Sequence, residues 1–229
     1  MAAKIPRKTA AEAGVGSRLS DLAYKRVFEI MFERKLPAGA FVSQAELVEL
    51  TGVPLGPLRD ALRVLEAEGI LTIHPRTGIQ FVKPGLELTR STYELRGIIE
   101  TSAVGVFAET APDSQIDGLI QRHKDACLRV EEEGLTDHVR QEIEDLELLL
   151  HSAIVGSLHN PLVDTIYSRI HNYLRMLRLD RRMTTPLALR SLREHLAVLD
   201  ACRARNASAA VAAIQTHFGA ALQRNLGLY

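Results

Sequence analysis

The sequence predicts a mainly α protein, with an amino-terminal winged helix-turn-helix and a carboxy-terminal antiparallel bundle of about six helices. Within residues 42–82, two short helical patterns flank a glycine-containing turn, and two strand-like runs follow directly. Beyond residue 85 the chain shows only long helical patterns, separated by short connections, most of them at a Gly or Pro. Helices of this length with short connections pack as an antiparallel bundle.

The region before the helix-turn-helix predicts a tail and one helix. Residues 1–16 are rich in Ala, Gly, Lys and Arg and have few large apolar side chains, which is typical of a mobile tail. Residues 17–35 repeat apolar positions at helical spacing, which predicts a helix. The helix ends where Pro37 and Gly39 introduce a turn.

Capping and turn residues define the two short helices. Ser43 followed three residues later by Glu46 forms a capping box, which predicts the start of the first helix. Gly52 supplies the turn, because glycine adopts positive φ without a steric penalty. Pro54 and Pro57 suit the beginning of the second helix, where a missing N–H costs little. In a helix-turn-helix this second helix enters the major groove of DNA.

A β-ribbon, the wing, follows the second helix. Residues 70–73 and 79–82 predict two strands, and residues 74–78 predict the turn between them. Any helical hairpin with an attached β-hairpin shares these elements. The order found here, helix, turn, helix, strand, basic turn and strand, occurs in far fewer kinds of protein than those elements do in general. It favours a DNA-binding regulator.

Six helices are predicted after a short linker at residues 83–85. Pro or Gly residues mark the first four of the five breaks between them. The expected ranges are 88–109, 114–133, 136–157, 161–182, 186–205 and 207–225.

Charge and cysteine usage favour an intracellular DNA-binding protein. The 229 residues have zero net charge, but residues 1–86 hold 12 Lys and Arg against 9 Asp and Glu, whereas residues 87–229 hold 16 against 19. A basic end beside an acidic remainder suits DNA binding at one end. Cys127 and Cys202 lack a metal-type spacing, which favours free thiols in a reducing cytosol. Since no apolar run reaches membrane-spanning length and no secretory signal is visible, we expect a soluble, cytoplasmic protein with no membrane partner.

Several segments carry a resemblance to a known family. LPAGAFVSQAELVELTGV and LRDALRVLEAEGIL resemble the amino-terminal domain of GntR-family transcriptional regulators. Four segments resemble FCD, the helical ligand-binding domain of the FadR-type branch: YELRGIIE, LLLHSAIVGSLHNPL, REHLAVLDACRARNASAA and QTHF. Six helices in this domain, rather than seven, resemble the VanR subgroup. The resemblance implies a DNA-binding domain over residues 17–83 and a ligand-binding, dimerisation-linked domain over residues 84–229.

The resemblance also implies partners. It implies a homodimer that binds a pseudo-palindromic operator in double-stranded DNA and responds to a small organic acid effector, with repression as the commoner role. A single recognition helix covers few base pairs, so helix-turn-helix proteins usually dimerise on paired half-sites. No nucleophile elbow, phosphate-binding loop or HExxH run occurs, and we therefore expect no enzymatic activity.

Four basic side chains are the candidates for DNA contact. Arg59 is expected to contact a base, because Arg pairs bidentately with guanine. A surface salt bridge with Asp60 or another acid is the alternative. Arg63 is expected to contact the DNA backbone or solvent. His74 and Arg76, at the wing tip, are expected to contact the minor groove or phosphates.

The chain departs from the GntR pattern at two positions that commonly contact DNA. Ala45 stands where the family commonly has Arg, and residues 54–56 read Pro-Leu-Gly where it commonly has Ser/Thr-Arg-Thr. The operator sequence is therefore not implied by the resemblance. A protein that has lost DNA binding and retains only a ligand or partner role is an alternative that these departures leave open.

The helical domain contains residues that are suited to binding a metal ion. Glu147 and His151 are four residues apart and project from one helix face. His195 and His217 lie on two later helices and, by the resemblance, match family ligand positions as His151 does. Three imidazoles and a carboxylate suit a divalent transition ion, most of all Zn²⁺, with Ni²⁺ or Mn²⁺ also considered. FCD domains usually have Asp where Glu147 stands, and hydrogen-bonded core histidines are the alternative reading of these residues.

The other histidines are placed outside this site, in surface or helix-end roles that suffice for them. They are His123, His138, His159 and His171.

Arg96 is the candidate for binding the effector carboxylate. In related domains the corresponding Arg does so, and a bidentate Arg–carboxylate pair suits that task. The alternative is a structural ion pair with Glu100 or Glu147. Arg175 is a second effector candidate.

Two other functions compete with control by an organic acid. In a metal-responsive regulator the same four ligands would bind the ion that is itself the signal. In a metal-dependent hydrolase, three His and a carboxylate would activate water, with Glu147 as base. A hydrolase would leave the winged helix unexplained.

Overall fold

The structure is a computed structural model. It describes the backbone of residues 10–179 and 183–226 and the side chains of residues 18–177 and 183–226. Within these residues it contains nine helices and three short strands, which confirms the mainly α fold class. The chain divides into two units between Pro84 and Gly85, one residue beyond the predicted domain boundary.

The amino-terminal unit holds three helices and a small sheet. They are α1 Ala10–Phe32, β1 Phe41–Val42, α2 Gln44–Thr51, α3 Leu55–Ala67, β2 Leu71–His74 and β3 Gly78–Phe81. The first helix starts at Ala10 rather than at residue 17, so the second half of the predicted tail is helical. Residues 1–9 of that tail lie outside the described residues.

The turn between α2 and α3 has the predicted chemistry. The hydroxyl of Ser43 accepts a hydrogen bond from the N–H of Glu46 at 3.2 Å, and the Glu46 carboxylate accepts one from the N–H of Ser43 at 2.7 Å. This capping box satisfies two N–H groups that a helix start leaves unpaired. Gly52 ends α2 at φ 67°, a left-handed conformation that favours glycine.

A third strand, which the sequence does not predict, completes the wing. The strand order is β1-β3-β2, with Phe41 opposite Gln80 and Ile73 opposite Ile79. Two residues are too few to show the alternation that predicts a strand. Gly78 permits the close approach of β1, because a Cβ at this position would lie 2.7 Å from the Phe41 ring and 2.8 Å from the Val42 carbonyl oxygen.

The core of the amino-terminal unit fixes which face of α3 is exposed. Leu58, Leu62 and Leu65 on α3 are fully buried, as is Val27 on α1, against which α3 packs. Complete burial of each such side chain stabilises the unit by roughly 1.5–3 kcal/mol. The opposite face of α3 is consequently free to carry polar residues.

The carboxy-terminal unit is a helical bundle. Its helices are α4 Leu86–Thr110, α5 Asp113–Glu133, α6 Asp137–Gly156, α7 Pro161–Leu179, α8 Thr185–Arg203 and α9 Ala207–Leu226. The observed ends lie within two residues of the predicted ends, except that the predicted end of the fourth helix, residue 182, falls outside the described residues.

The helices of the bundle pack around one polar centre. α4 packs against α9 and α6, and α8 packs against α9 and α5. Apolar side chains such as Phe107, Leu150, Leu199 and Ile214 are fully buried between them. Within the described residues, no helix is both long and apolar enough to span a membrane.

Candidate metal centre and DNA interface

The exposed face of α3 carries the predicted base-contacting arginine. Arg59 is exposed, and its Nε donates a hydrogen bond to the side-chain oxygen of Gln44 at 2.9 Å. It does not form the alternative salt bridge with Asp60, which instead lies 3.7 Å from Arg63. Because Nε is held by Gln44, the two terminal nitrogens of Arg59 remain available for a partner outside the unit.

The other predicted DNA contacts lie at the wing tip. Arg76 is exposed in the β2–β3 turn, with φ 66°. His74 is half-buried; its Nε2 lies 3.2 Å from the side-chain oxygen of Gln80, and its ring packs near Phe41. Arg76 therefore projects more freely than His74.

Four predicted metal ligands come together in the bundle. Glu147 and His151 on α6, His195 on α8 and His217 on α9 each offer one ligand atom within 4.8 Å of the others. The three histidines are buried and Glu147 is half-buried. Glu147 oxygens lie 3.5 Å from Nε2 of His151 and 3.4 Å from Nε2 of His195. Two atoms bound to one tetrahedral Zn²⁺ at about 2.0 Å are roughly 3.3 Å apart, so these separations fit a shared ion.

Several buried nitrogen atoms in and beside the cluster are unpaired. Within the described residues, four buried side-chain nitrogens lack a hydrogen-bond partner: Nε2 of His151, His195 and His217, and Nη1 of Arg96. Leaving a buried polar atom unpaired costs about 1–3 kcal/mol. Because the three histidines belong to one cluster with Glu147, their unpaired nitrogens indicate that the residues are arranged for a bound group.

Two of these histidines are hydrogen-bonded to carboxylates through Nδ1, the ring nitrogen opposite the unpaired Nε2. Glu100 lies 2.5 Å from Nδ1 of His151, and Glu194 lies 2.9 Å from Nδ1 of His217. An ionised carboxylate can only accept hydrogen bonds, so Nδ1 is the donor. In a neutral imidazole, Nε2 then has a lone pair, which faces the cluster. This carboxylate–histidine pairing is the usual support of a metal-ligating imidazole.

The protonation states suit cation binding. Burial lowers the pKa values of His151 and His195 well below the ordinary value, so both rings are neutral ligands at neutral pH. Burial alone would raise the pKa of Glu194, but hydrogen bonds from His217 and Arg224 outweigh it and lower the pKa to about 2. Arg224 makes both bonds to Glu194 at 2.8 Å.

Arg96 is fully buried beside the cluster. Its Nε donates to Glu100 at 2.5 Å and its Nη2 donates to Glu147 at 3.1 Å, so both ion pairs foreseen as alternatives exist. Burial would lower the pKa of Arg96, but Glu100 and neighbouring groups raise it well above its ordinary value. The remaining Nη1 has no partner in the described residues.

A cavity borders the cluster. It offers about 90 Å³ to the centres of water-sized molecules, and its lining includes Glu147, His217, Tyr93, Ser191 and Arg140. Arg175 lines a different cavity, with Tyr167, His171 and Asn172. The structure therefore brings Arg96 to the cluster and places Arg175 elsewhere.

Both units match known families. Residues 19–81 match the family described as bacterial regulatory proteins, gntR family, and residues 91–220 match the FCD domain. The FCD match alone covers more than half of the chain. This protein belongs to the GntR/FCD transcriptional regulators.

Relatives of this GntR/FCD regulator match along most of its length. The uncharacterized HTH-type transcriptional regulator YdhC of Bacillus subtilis is 22% identical over 85% of this chain and 85% of its own. The HTH-type transcriptional repressor NanR of Citrobacter rodentium is 23% identical over 87% of this chain and 82% of its own. The structure of E. coli McbR/YncC aligns with a TM-score of 0.75, at 15% identity, over 92% of this chain and 98% of that one. The chain is thus a DNA-binding transcriptional regulator, and these regulators are not enzymes.

The prediction for one histidine of this GntR/FCD regulator is wrong. His123 does not lie at the surface or at a helix end; it is fully buried in the middle of α5, and its Nε2 is 3.2 Å from Nδ1 of His195. A signal for its burial exists, because Ile116, Leu119, His123, Ala126 and Val130 are spaced three and four residues apart along one helix face.

Proposed function

We propose that this regulator binds operator DNA as a homodimeric repressor whose affinity is controlled by a small carboxylate bound at a divalent-ion site in the FCD domain. One observation carries the proposal. Three buried histidines, whose Nε2 atoms have no partners in the described residues, cluster with Glu147 at the edge of a cavity, and Nη2 of the buried Arg96 donates to the same Glu147. The site of action would be the cytoplasm, where the operator lies.

The donor set fits a transition ion. Glu147, His151, His195 and His217 would hold it, and three imidazoles with one carboxylate suit Zn²⁺ best, with Ni²⁺ or Mn²⁺ as alternatives. A bound ion supplies two positive charges and a coordination position for a carboxylate oxygen. His151 and His195, whose pKa values burial lowers, are already in the neutral state that ligation requires.

Charge balance explains why an acid would follow the ion into the site. Glu100, Glu147 and Glu194 carry three negative charges, and Arg96 and Arg224 carry two positive charges, so these buried or half-buried groups sum to −1. Without an ion, the centre repels a carboxylate. With a divalent cation the sum becomes +1, which one carboxylate neutralises.

Arg96 is preorganised to receive that carboxylate. Glu100 and Glu147 fix its guanidinium, and the Phe218 ring lies 4.9 Å from its central carbon. Because its orientation is already set, little conformational entropy is lost when Nη1 acquires an acceptor. Arg175 would serve an acid in its own cavity, and we propose Arg96 as the effector contact.

The proposed DNA-contacting surface also has an arginine whose orientation is fixed by a neighbouring side chain, as that of Arg96 is. The Gln44 amide holds Nε of Arg59 and leaves the two Nη groups for the O6 and N7 acceptors of guanine. Arg63 and the wing residues His74 and Arg76 would contact the DNA backbone or the minor groove. An effector changes operator affinity only if it prefers one of the DNA-competent and DNA-incompetent states.

Selection of bound duplexes from random DNA tests the proposal. The full chain should enrich paired half-sites whose centres lie about one helical turn apart. Binding to the selected operator is then titrated with chelated or Zn²⁺-loaded protein against a panel of small mono- and hydroxycarboxylic acids. At least one acid should change the affinity, and only in the loaded protein. Equal operator affinity for every acid and in both metal states would contradict control through this site.

Arg59→Ala should weaken binding to the selected operator by about 1–3 kcal/mol and relax the base preference at one position of each half-site. Arg59→Lys retains the charge without the planar fork, so it should restore affinity in part but not base preference. Electrophoretic mobility-shift titrations on the operator and on single-base variants measure both effects. Arg63→Ala is the control, and it should weaken all sequences equally. An unchanged base preference in Arg59→Ala would remove this residue from direct readout.

A regulator that senses the ion itself is the second candidate. The observation that favours it is the full set of four protein ligands, which can complete a tetrahedral Zn²⁺ shell without an organic acid. The operator titration separates the two candidates. Affinity that tracks Zn²⁺ alone and ignores every acid indicates an ion sensor.

A further inference from the structure

Among the described residues, His123 is the one group without a carboxylate that hydrogen-bonds to a histidine of the cluster. Its Nδ1 lies 2.8 Å from the carbonyl oxygen of Leu119, and its Nε2 lies 3.2 Å from Nδ1 of His195. A carbonyl oxygen only accepts hydrogen bonds, so Nδ1 of His123 carries a hydrogen. No carboxylate of the described residues contacts this fully buried ring, and an unpaired buried charge is costly, so the ring is neutral.

The hydrogen positions of His195 follow from this chain of bonds. A neutral imidazole has one N–H, so Nε2 of His123 is an acceptor and Nδ1 of His195 must donate to it. We infer that His123 fixes the tautomer of His195 and keeps the cluster-facing Nε2 of His195 unprotonated and ready to ligate. The role as support for a ligand rests on the proposed metal site, whereas the tautomer itself does not.

A competing tautomer of His195 is available. Nε2 of His195 lies 3.4 Å from a Glu147 oxygen. If that nitrogen carried the hydrogen, it would have no lone pair with which to bind the ion, and its N–H would be attracted to the Glu147 carboxylate. The acceptor on His123 favours the ligating tautomer over this one.

A neutral support also preserves the charge of the centre. Glu100 and Glu194 fix the tautomers of His151 and His217 at the cost of one negative charge each. A third carboxylate behind His195 would make the buried groups more negative and would oppose an anionic effector after ion binding. His123 sets the same tautomer without that charge.

The test uses full-length, metal-free protein with ¹⁵N-labelled histidine, in which long-range ¹H–¹⁵N NMR spectra report the tautomer of His195. In the wild type, the hydrogen should be on Nδ1. In His123→Leu, which removes the acceptor, it should move to Nε2. In His123→Gln, whose side-chain oxygen can accept, it should stay on Nδ1. His138→Leu, on the exposed start of α6, is the control and should leave His195 unchanged.

Zn²⁺ affinity, measured by competition with a chromogenic chelator, gives the second readout. His123→Leu should bind Zn²⁺ about 10–100-fold more weakly than the wild type, and His123→Gln should recover most of this loss. A hydrogen on Nε2 of His195 in the metal-free wild type overturns the inference, as does an unchanged tautomer in His123→Leu. If His123→Leu does not fold, the wild-type and His123→Gln spectra still decide. Failure of the wild type to bind Zn²⁺, with the Nδ1 tautomer observed, would reject the metal site and leave the tautomer assignment intact.

Discussion

His217→Ala should remove high-affinity Zn²⁺ binding and, with it, the stabilisation of the protein by Zn²⁺. A ligand that binds only the folded state at a concentration 100 times its Kd raises the free energy of unfolding by about 2.7 kcal/mol. We expect that increase in the wild type and almost none in the variant at the same Zn²⁺ concentration. Urea denaturation with Zn²⁺ or with chelator measures the difference.

Among the proposed ligands with a supporting carboxylate, His217 is the one whose removal should disturb the rest of the site least. Its supporting carboxylate, Glu194, retains both hydrogen bonds from Arg224 after the imidazole is lost, so no buried charge is left unpaired. Removing His151 would instead take a hydrogen bond from the fully buried Glu100. His138→Ala is the matched control, because that exposed histidine should not alter the Zn²⁺ effect. Undiminished stabilisation of His217→Ala by Zn²⁺ would mean that the ion binds elsewhere.

Local signals predict most of the helices in this chain. The capping box of Ser43 and Glu46 and the left-handed Gly52 are properties of a few adjacent residues, and the structure contains both. The ends of α5 and α6 follow equally local signals, a proline, a glycine and a capping threonine. By contrast, β1 forms only because β3 lies beside it, a pairing that no local pattern of two residues reveals.

The cluster is harder to predict from the sequence because its residues lie on three different helices. Glu147 and His151 are neighbours on α6 and can be paired by their spacing, but His195 and His217 join them only through packing of α8 and α9. Their grouping in the sequence therefore depends on resemblance to FCD domains.

The support behind the cluster is harder still to foresee. Glu100 reaches His151 from α4, and His123 reaches His195 from α5. Neither contact has a characteristic spacing. The periodicity of α5 indicates that His123 is buried, but only the packed bundle shows which atom it meets.

Arg96→Leu should destabilise the carboxy-terminal unit by about 3–5 kcal/mol, the effect expected when one partner of a buried ion pair is removed. Both Arg96 and the Glu100 carboxylate are fully buried, and the bond between them is 2.5 Å long. The variant leaves the Glu100 carboxylate with hydrogen bonds from Tyr167 and His151, but no Lys or Arg of the described residues other than Arg96 pairs with it. Urea denaturation in the presence of chelator measures this loss without a contribution from metal.

The double variant Arg96→Leu/Glu100→Gln separates loss of charge compensation from loss of packing. Gln cannot carry the buried charge, so the double variant should be more stable than Arg96→Leu alone, although less stable than the wild type because its new amide is imperfectly paired. Arg169→Leu is the control for removing an arginine from the same unit. Arg169 is exposed, and its replacement should change stability by no more than about 0.5 kcal/mol. If Arg96→Leu were no less stable than Arg169→Leu, the Arg96–Glu100 pair would not stabilise the bundle. The orientation of Arg96 toward an effector would then need another cause.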